Sequence, residues 1–302
     1  MDKHSYIAVF DSGVGGVSVL RELRALLPRE RFYYFGDSAN APYGRKTTEE
    51  VRALTLAAGK KLLEDHDCKA LVVACNTATA AAITDLRERY PDRIIVGIEP
   101  ALKLACDRHP GGTIGIMATD VTLREQKLAA LMERVKRDCT VLRVQAPGVV
   151  ELVEAGKADT GEAVELMERL LGPYTGKLSA LVLGCTHYPF AAKAISRVLG
   201  EEVRLLDGGD GTARETRRRL AAADLLVGHD GKETAIIHFA ADMEVVLPAQ
   251  TDMGGNTAFH PKPGNDGEGI IAHHLHQLTG FSLKEAVPGE GSPTVQAVQP
   301  QP

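Results

Sequence analysis

The chain has 302 residues, a length that predicts about two domains. Its 35 Lys and Arg against 40 Asp and Glu give a net charge of −5, and only 5% of its residues are aromatic. A mildly acidic chain with few aromatic side chains is poorly suited to bind nucleic acid or an anionic membrane surface, so we expect neither partner. Its longest apolar runs are also too short to span a membrane.

The five cysteines include no Cys-x-x-Cys pair, and their number is odd. A signal peptide has no room before the apolar run that begins at Ile7. Both features favour a cytoplasmic protein with free thiols only, because disulfides are rare in that compartment. No cysteines have the spacing of zinc ligands, and the His-rich run at 273–276 has no acidic or Cys partner beside it. We therefore predict no metal site.

Short apolar runs alternate with amphipathic stretches along most of the chain. Buried strands are predicted at 6–10, 31–35, 70–74, 93–97, 113–117, 140–144, 180–183 and 203–206. Helices are predicted at 17–27, 48–65, 77–90, 122–136, 160–171, 189–199 and 211–226. Thr47 with Glu50, and Thr122 with Glu125, have the spacing of a capping box and predict the starts of two helices. Apolar strands separated by helices are typical of parallel sheets covered on both faces, so the predicted fold class is α/β.

Beyond residue 226 this pattern weakens. Strands are predicted at 234–239 and 243–247, and a last helix at 267–280. Gly, Pro and Asn are frequent at 251–269 and predict a loop. Residues 285–302 are rich in Pro and lack apolar periodicity, which predicts a disordered tail.

Two parts of the chain resemble each other. Ala-Leu-Val-Val-Ala-Cys-Asn-Thr at 70–77 is similar to Ala-Leu-Val-Leu-Gly-Cys-Thr-His at 180–187, and 7–12 is similar to 114–119. Any two buried strands share an apolar composition, but this does not account for a Cys directly after both strands. The sequence therefore predicts two α/β units of similar architecture.

Polar and reactive side chains follow five of the predicted strands. They are Asp11 and Ser12, Asp37 and Ser38, Cys75, Asn76 and Thr77, Ala118 and Thr119, and Cys185, Thr186 and His187. Ligands of open α/β sheets sit beyond the carboxyl ends of the strands, so these residues are expected to line one site. The helix N-termini that follow have free N–H groups and favour an anionic ligand such as a carboxylate.

Cys75 and Cys185 are the candidate acid/base groups. A lone cysteine is usually a small buried apolar residue, and this interpretation suits Cys68, Cys106 and Cys139. Cys75 and Cys185 differ because each precedes a predicted helix N-terminus, where a thiolate is stabilised.

The thiols need assistance, because an unperturbed thiol has a pKa of about 8.5 and is mostly protonated at neutral pH. Asp11 and His187, beside the thiols at strand ends, are the candidates for that assistance. A dinucleotide site is disfavoured, because Ser18 replaces the third glycine of the fingerprint that starts at Gly13. The glycines at 13–16 instead predict a tight turn with a close backbone approach.

Four long motifs occur in order along the chain. They are Phe-Asp-Ser-Gly-Val-Gly-Gly at 10–16, Asp-Ser-Ala-Asn-Ala-Pro-Tyr-Gly at 37–44, Ala-Cys-Asn-Thr-Ala at 74–78 and Gly-Cys-Thr-His-Tyr-Pro at 184–189. Together they resemble the cofactor-independent aspartate/glutamate racemase superfamily, and within it the glutamate racemases. The resemblance covers residues 7–226. The segment that contains His187 is similar to that of the glutamate enzymes, whereas the aspartate racemases generally have an acidic residue at this position.

The resemblance implies two similar, pseudo-symmetric α/β domains with the active site in the cleft between them. The first domain would be discontinuous, at 1–98 and 208–284, and the second would span 99–207. The implied activity is interconversion of L- and D-glutamate by two thiols without a cofactor, which supplies D-glutamate for peptidoglycan synthesis, cell-wall biogenesis and cell shape.

The resemblance also assigns roles to single residues. Cys75 and Cys185 would exchange protons with the substrate, assisted by Asp11, His187 and Glu154. The implied substrate-binding residues are Asp11, Ser12, Pro42, Tyr43, Gly44, Cys75, Asn76, Thr77, Thr119, Thr122, Cys185, Thr186 and His187. The segment at 238–242 matches the family imperfectly and residues 254–302 do not match it, which leaves the role and packing of the C-terminal region at 251–302 open.

Three alternatives stay open at this stage. One is a racemase of aspartate or another small acidic substrate, and another is a family member that also binds DNA gyrase. A thiol redox protein is disfavoured, because the cysteines lack Cys-x-x-Cys spacing. A homodimer and a cell-wall precursor acting as an effector are left open as partners.

Overall fold

The computed structural model of this chain describes residues 2–124, 126–135 and 138–228, together with three strands nearer the C-terminus. The strands are β1 (Tyr6–Asp11), β2 (Arg31–Gly36), β3 (Cys68–Val73), β4 (Ile94–Gly97), β5 (Thr113–Ala118), β6 (Thr140–Gln145), β7 (Ala180–Leu183), β8 (Arg204–Asp207), β9 (Thr234–Phe239), β10 (Met243–Leu247) and β11 (Phe259–His260). The helices are α1 (Val17–Leu26), α2 (Thr48–Lys60), α3 (Asn76–Arg89), α4 (Leu102–Arg108), α5 (Asp120–Arg124), α6 (Gln126–Val135), α7 (Val149–Glu154), α8 (Gly161–Leu171), α9 (Ala192–Leu199) and α10 (Gly209–Ala222).

These strands form two sheets. The first has the order β11-β10-β9-β2-β1-β3-β4, and the second has the order β6-β5-β7-β8. Neighbouring strands are parallel except for β9 with β10 and β10 with β11. This confirms the predicted α/β class. The β2-β1-β3-β4 part of the first sheet and the whole second sheet follow the same pattern, as the prediction of two similar units requires.

The strand order places the expected site residues at equivalent positions of the two sheets. The first crossover leads from β1 to β2 on one side of it, and the next leads from β2 to β3 on the other side of β1. The second sheet repeats this order with β5, β6 and β7. A reversal of this kind opens a crevice at the carboxyl ends of the strands. Asp11 and Cys75 lie at the crevice of the first sheet, and Thr119 and Cys185 lie at that of the second.

Most predicted element bounds between residues 6 and 207 are confirmed. Each of the eight predicted strands there is present, with ends within two residues of the prediction. The capping box of Thr47 and Glu50 opens α2, and a π-helical turn, Lys61–Asp65, follows that helix. The short helices α4 and α7 were not predicted, because they are too short to show a clear apolar period.

The predicted helix start at Thr122 was wrong. The chain forms α5 from Asp120, because the Thr119 hydroxyl accepts a hydrogen bond from the Thr122 N–H at 3.4 Å and so caps the helix one turn earlier. Glu125, the partner expected in the second capping box, lies outside the described residues.

The prediction of five free thiols was also wrong. Cys106 and Cys139 are buried, as expected, but they form a disulfide. Cys106 lies on α4 and Cys139 directly before β6, and both pack in one apolar cluster with Leu102 and Ile114. The fold of α4, which was not predicted, brings the two sulfurs together across 33 residues of sequence. The free cysteines among the described residues are Cys68, Cys75 and Cys185.

The C-terminal region is described only in part. β9 and β10 confirm the two strands predicted there, and β11 lies inside the segment at 251–269 that was predicted to be a loop. The helix predicted at 267–280 and the tail at 285–302 lie outside the described residues. Within the described part of the chain, no helix has the length and apolar character needed to cross a membrane.

The chain passes between the two sheets twice, and the two passages touch. It leaves the first sheet after β4 and returns after β8. Gly208 on the return passage has no room for a side chain, because a Cβ atom there would lie 2.3 Å from the Glu99 carbonyl oxygen. We propose that these two passages divide the chain into two domains. One comprises residues 1–98 with 208–284, and the other comprises residues 99–207.

Candidate active site

Cys75 lies at the first crevice, between β3 and α3. It is the N-cap of α3, and its Sγ accepts a hydrogen bond from the Ala78 N–H at 3.4 Å. The Ser12 hydroxyl, which follows β1, lies 3.6 Å from the same sulfur. Only 5% of Cys75 is exposed. The thiol is therefore shielded from solvent and lies against the Ala78 N–H and the Ser12 hydroxyl.

The surroundings of Cys75 favour its protonated form. Burial and the nearby Asp11 carboxylate raise the pKa of the Cys75 thiol to about 12, although the Ala78 N–H and the Ser12 hydroxyl act in the opposite direction. The helix N-terminus is thus present, as predicted, but its stabilisation of the thiolate is outweighed. Cys75 carries a proton at neutral pH, and its thiolate, once formed, is a strong base.

Cys185 lies at the second crevice and is assisted by two side chains instead of a helix. A 3₁₀ turn, Tyr188–Ala191, follows it, so the prediction of an α-helix N-terminus next to Cys185 was wrong. His187 Nδ1 lies 3.7 Å from Cys185 Sγ, and His187 Nε2 lies 2.5 Å from Glu154 Oε1. These contacts form a chain from carboxylate to imidazole to thiol, an arrangement that stabilises a thiolate.

His187 is held in its charged form by this arrangement. Burial alone would lower the pKa of the imidazole, but its hydrogen bonds to Cys185 and Glu154 and the attraction of both negative groups raise that pKa well above its ordinary value. The charged ring lies 3.7 Å from Cys185 Sγ, whereas Cys75 has the Asp11 carboxylate near it. The two thiols therefore have different surroundings, one suited to the proton donor and one to the base.

Asp11 connects the two units beside the thiols. Its carboxylate is fully buried and accepts hydrogen bonds from the Gly13 N–H at 3.0 Å and from the Thr186 hydroxyl at 3.1 Å. Burial raises the pKa of Asp11, while the charge of His187 and these donors act against that rise. The carboxylate thus touches the segment that carries Cys185 and also adds negative charge near Cys75.

The glycine turn at 13–16 allows the second unit to approach the first closely, as predicted. A Cβ atom at Gly15 would lie 2.5 Å from His187 Nδ1 and 2.5 Å from Thr186 Oγ1. The N–H of Val14 donates to Glu154 Oε1 at 3.2 Å. Glycine at these positions leaves the space in which the His187 and Glu154 side chains lie.

Threonine hydroxyls from both units meet on another side of the cleft. Thr77 Oγ1, at the start of α3, lies 3.2 Å from Thr119 Oγ1 and 3.4 Å from Thr122 Oγ1. The buried Asn76 Oδ1 has no hydrogen-bond partner within the described structure, so it is a free acceptor at the N-terminus of α3. A ligand with N–H donors would satisfy it.

The loop after β2 closes one end of this region. Pro42, Gly44 and Thr119 line a cavity of about 100 Å³ at the junction of the two units. The neighbouring Tyr43 is 1% exposed and donates its hydroxyl to Asp37 Oδ2 at 2.6 Å. The structure thus brings together residues of all four sequence motifs.

Two further residues support these motifs. Asp37 was expected at the site as a strand-end residue without an assigned role, and its carboxylate accepts hydrogen bonds from Asn40 and Tyr43 that fix the loop after β2. Tyr34 was missed altogether, and its hydroxyl donates to the Gly13 carbonyl at 2.6 Å. Its position inside an apolar strand gave no signal of a polar contact. Among the described residues, no three His, Cys, Asp or Glu side chains form a group that could hold a metal ion.

A comparison with known proteins identifies the family of this chain. The family model described as Asp/Glu/Hydantoin racemase matches residues 11–216, a range that contains both thiols. The chain belongs to this family. The match spans both crevices and the passages between them.

Individual family members are similar over most of the chain. A glutamate racemase of Clostridium perfringens is 46% identical over 219 residues, covering 72% of this chain and 84% of the relative. One from Clostridium kluyveri is 51% identical over 216 residues, covering 71% and 83%. The crystal structure of a glutamate racemase isoform from Bacillus anthracis has a TM-score of 0.75 at 28% identity and covers 93% of this chain and 96% of its own. The Escherichia coli glutamate racemase, solved with L-glutamate and the activator UDP-MurNAc-ala, has a TM-score of 0.72 at 28% identity, covering 90% and 95%.

Proposed function

We propose that this racemase interconverts L- and D-glutamate with its own side chains as the only acids and bases. The observation that carries the proposal is the presence of one buried free thiol at the crevice of each unit, Cys75 and Cys185. Inversion at a carbon needs a base on one face and an acid on the other, and two similar groups can exchange these roles. Relatives at 46% and 51% identity bear the name glutamate racemase.

The proposed reaction has two proton transfers. The thiolate on one face of the substrate takes the α-proton, so that the C–H bond breaks and an S–H bond forms. The electron pair stays on the substrate as a carbanion, delocalised into the adjacent carboxylate. The thiol on the other face then gives its proton to the α-carbon and becomes a thiolate. The reverse direction uses the same two groups with their roles exchanged.

The surroundings of the thiols suggest which one acts first as the base. Cys185 lies beside the charged His187, whereas the pKa of Cys75 is raised to about 12. In this state Cys185 accepts the α-proton and Cys75 donates one. Asp11 assists by raising the basicity of Cys75, which helps the reverse reaction. The opposite enantiomer requires a proton to move between the two thiols before it reacts.

Substrate binding is assigned to the polar groups around the thiols. Hydroxyls and N–H groups of both units hold the two carboxylates, at positions Ser12, Tyr43, Gly44, Asn76, Thr77, Thr119, Thr122 and Thr186. Pro42, which has no donor, borders the substrate. The free Asn76 Oδ1 accepts from the substrate ammonium group. A preorganised, water-poor site of this kind stabilises the negative charge that develops as the α-proton leaves.

We place the enzyme in the cytoplasm, where D-glutamate would enter peptidoglycan synthesis and so contribute to cell-wall biogenesis and cell shape. A homodimer, a DNA gyrase-binding role and a cell-wall precursor acting as an effector remain hypotheses. The second candidate activity is racemisation of aspartate or another small acid. It is disfavoured because this chain has His187 at the motif position where the glutamate enzymes are similar to it.

The proposal is tested by incubating the purified protein with L-glutamate and no added cofactor, then measuring both enantiomers by chiral chromatography. We expect D-glutamate to accumulate until the two enantiomers are equal, and L-aspartate to be inverted much more slowly. Prior treatment with hydroxylamine, which reacts with carbonyl cofactors, should leave the rate unchanged. Preferential inversion of aspartate, or loss of activity after hydroxylamine, would contradict the proposal.

The Glu154→Gln variant tests how His187 is kept charged. The active form needs the His187 imidazolium, so activity falls as the pH rises through the pKa of His187. The Glu154 carboxylate helps to raise this pKa. Its removal should therefore move the alkaline limb of the kcat profile to lower pH and reduce kcat at neutral pH by about 10²-fold.

A matched control separates this effect from a general loss of negative charge. Glu162→Gln removes an exposed carboxylate of the same unit that pairs only with a surface lysine among the described contacts. It should retain the pH profile of the unmodified enzyme. An alkaline limb that does not move in Glu154→Gln would show that Glu154 does not act through His187.

A further inference from the structure

Tyr34 connects the core of the first unit to the glycine turn beside the thiols. Its ring is fully buried in an apolar cluster with Val14 and Leu20, in the middle of the first sheet. Its hydroxyl reaches the end of β1 and donates to the Gly13 carbonyl oxygen at 2.6 Å. A Cβ atom at Gly16 would lie 3.0 Å from this hydroxyl, so the glycine turn packs closely against the Tyr34 side chain.

The peptide held by Tyr34 is the same one that contacts the second unit. The Gly13 carbonyl belongs to the peptide whose N–H is on Val14, and that N–H donates to Glu154 Oε1 at 3.2 Å. The same carboxylate oxygen lies 2.5 Å from His187 Nε2. Because a peptide group is planar, fixing its carbonyl oxygen also fixes the direction of its N–H.

We propose that Tyr34 is a positioning residue for Cys185, and that its hydroxyl orients the Gly13–Val14 peptide so that Glu154 is held against His187. The inference rests on the proposed function, in which the His187 imidazolium stabilises the Cys185 thiolate. Tyr34 acts through four successive contacts and does not touch the reacting atoms. It assists one thiol, because the contacts run from Glu154 to His187 and from His187 to Cys185 Sγ.

The chemistry of a buried tyrosine suits this role. Burial and the nearby Asp11 and Glu154 carboxylates raise the pKa of Tyr34 well above its ordinary value, so the hydroxyl keeps its proton and remains a donor. Without that donor, the Gly13 carbonyl would lose a buried hydrogen bond, and the direction of the Val14 N–H would be less firmly fixed. The ring alone fills the core, so Phe would preserve the packing while removing the hydrogen bond.

The test compares Tyr34→Phe in two single-thiol backgrounds. In Cys75→Ser, the rate of alkylation by iodoacetamide at neutral pH, with the modified residue located by mass spectrometry, reports the reactivity of Cys185. In Cys185→Ser it reports that of Cys75. We expect Tyr34→Phe to lower the alkylation rate of Cys185 by about tenfold and to leave that of Cys75 unchanged.

The racemisation rate provides a second measurement. Tyr34→Phe should lower kcat by about tenfold with little change in KM, and should have almost no further effect in the Glu154→Gln background, where the contact it supports is already lost. Tyr33→Phe is the matched control. It lies on the same strand, but its ring packs against Tyr6 and His66 on the other side, so neither thiol should change.

Each outcome of this experiment is decisive. A change in the alkylation rates of both thiols, of neither, or of Cys75 alone would overturn the role of Tyr34. Additive losses of kcat in the Tyr34→Phe and Glu154→Gln double variant would do the same. Failure of the proposed function is a separate result, because it would appear as an absence of glutamate racemisation in the unmodified protein, whereas alkylation measures the thiols in either case.

Discussion

Replacing either Cys75 or Cys185 with serine should lower glutamate racemisation by at least about 10³-fold and leave the protein folded. A serine hydroxyl is far less acidic than a thiol and is almost never ionised at neutral pH, so it can neither take the α-proton nor return one. Both thiols take part in every turnover in either direction. The loss should therefore be similar for the two variants, measured as kcat from L-glutamate and from D-glutamate.

The other three cysteines provide the controls. Cys68→Ser, Cys106→Ser and Cys139→Ser should retain the racemisation rate, because none of the three is among the residues that meet at the cleft. Loss of the Cys106–Cys139 disulfide should lower the melting temperature, because the bond closes a loop of 33 residues in sequence. A folded but inactive Cys139→Ser, or a fully active Cys185→Ser, would show that the two thiols have been paired incorrectly.

Gly15→Ala should have the second largest effect, about 10²-fold or more on kcat. The added methyl carbon would lie 2.5 Å from His187 Nδ1, the ring atom that faces Cys185, and 2.5 Å from Thr186 Oγ1. Real contacts of this kind do not occur, so either the imidazole turns away from the thiol or the two units move apart. The first movement separates Cys185 from the imidazole, and the second separates Cys185 from Asp11 and Cys75 of the first unit.

Gly161→Ala is the matched control for this substitution. Gly161 begins α8, and a Cβ atom there would meet nothing within 4 Å. Its kcat should equal that of the unmodified enzyme, and its stability should rise slightly, because alanine favours a helix. A Gly15→Ala variant with the same kcat as Gly161→Ala would mean that the close approach of the turn to His187 is not needed for activity.

The strand ends could be predicted from the sequence because they depend on local pattern. A buried parallel strand is a short apolar run, and the first polar residues after it lie at the edge of the sheet whatever the rest of the chain does. This pattern predicts that Asp11 and Cys75 lie at one sheet edge and that Cys185 lies at the equivalent edge of the second unit, whereas the cleft that joins the two edges was implied by the family resemblance. The order of the strands within each sheet does not follow from such runs, since it depends on long-range pairing.

The contacts between distant residues could not be predicted in this way. Nothing local to α7 indicates that Glu154 reaches His187 and Val14, and its assignment came only from the family resemblance. The disulfide of Cys106 with Cys139 and the hydroxyl contact of Tyr34 have the same origin, because packing between elements creates them. A cysteine at a strand end also does not reveal its pKa, which burial and neighbouring charges decide.

The central claim is that two different thiols face opposite sides of the α-carbon, and the measurement that tests it most directly is an early-time count of α-hydrogen in D₂O. Thiol protons exchange with solvent between turnovers, so the group that completes the reaction carries deuterium. Starting from L-glutamate, the first D-glutamate formed should contain deuterium at the α-carbon, while unreacted L-glutamate keeps its hydrogen. D-glutamate that retains most of the original α-hydrogen would mean that a single group moves between the two faces, and would contradict the arrangement of Cys75 and Cys185 described above.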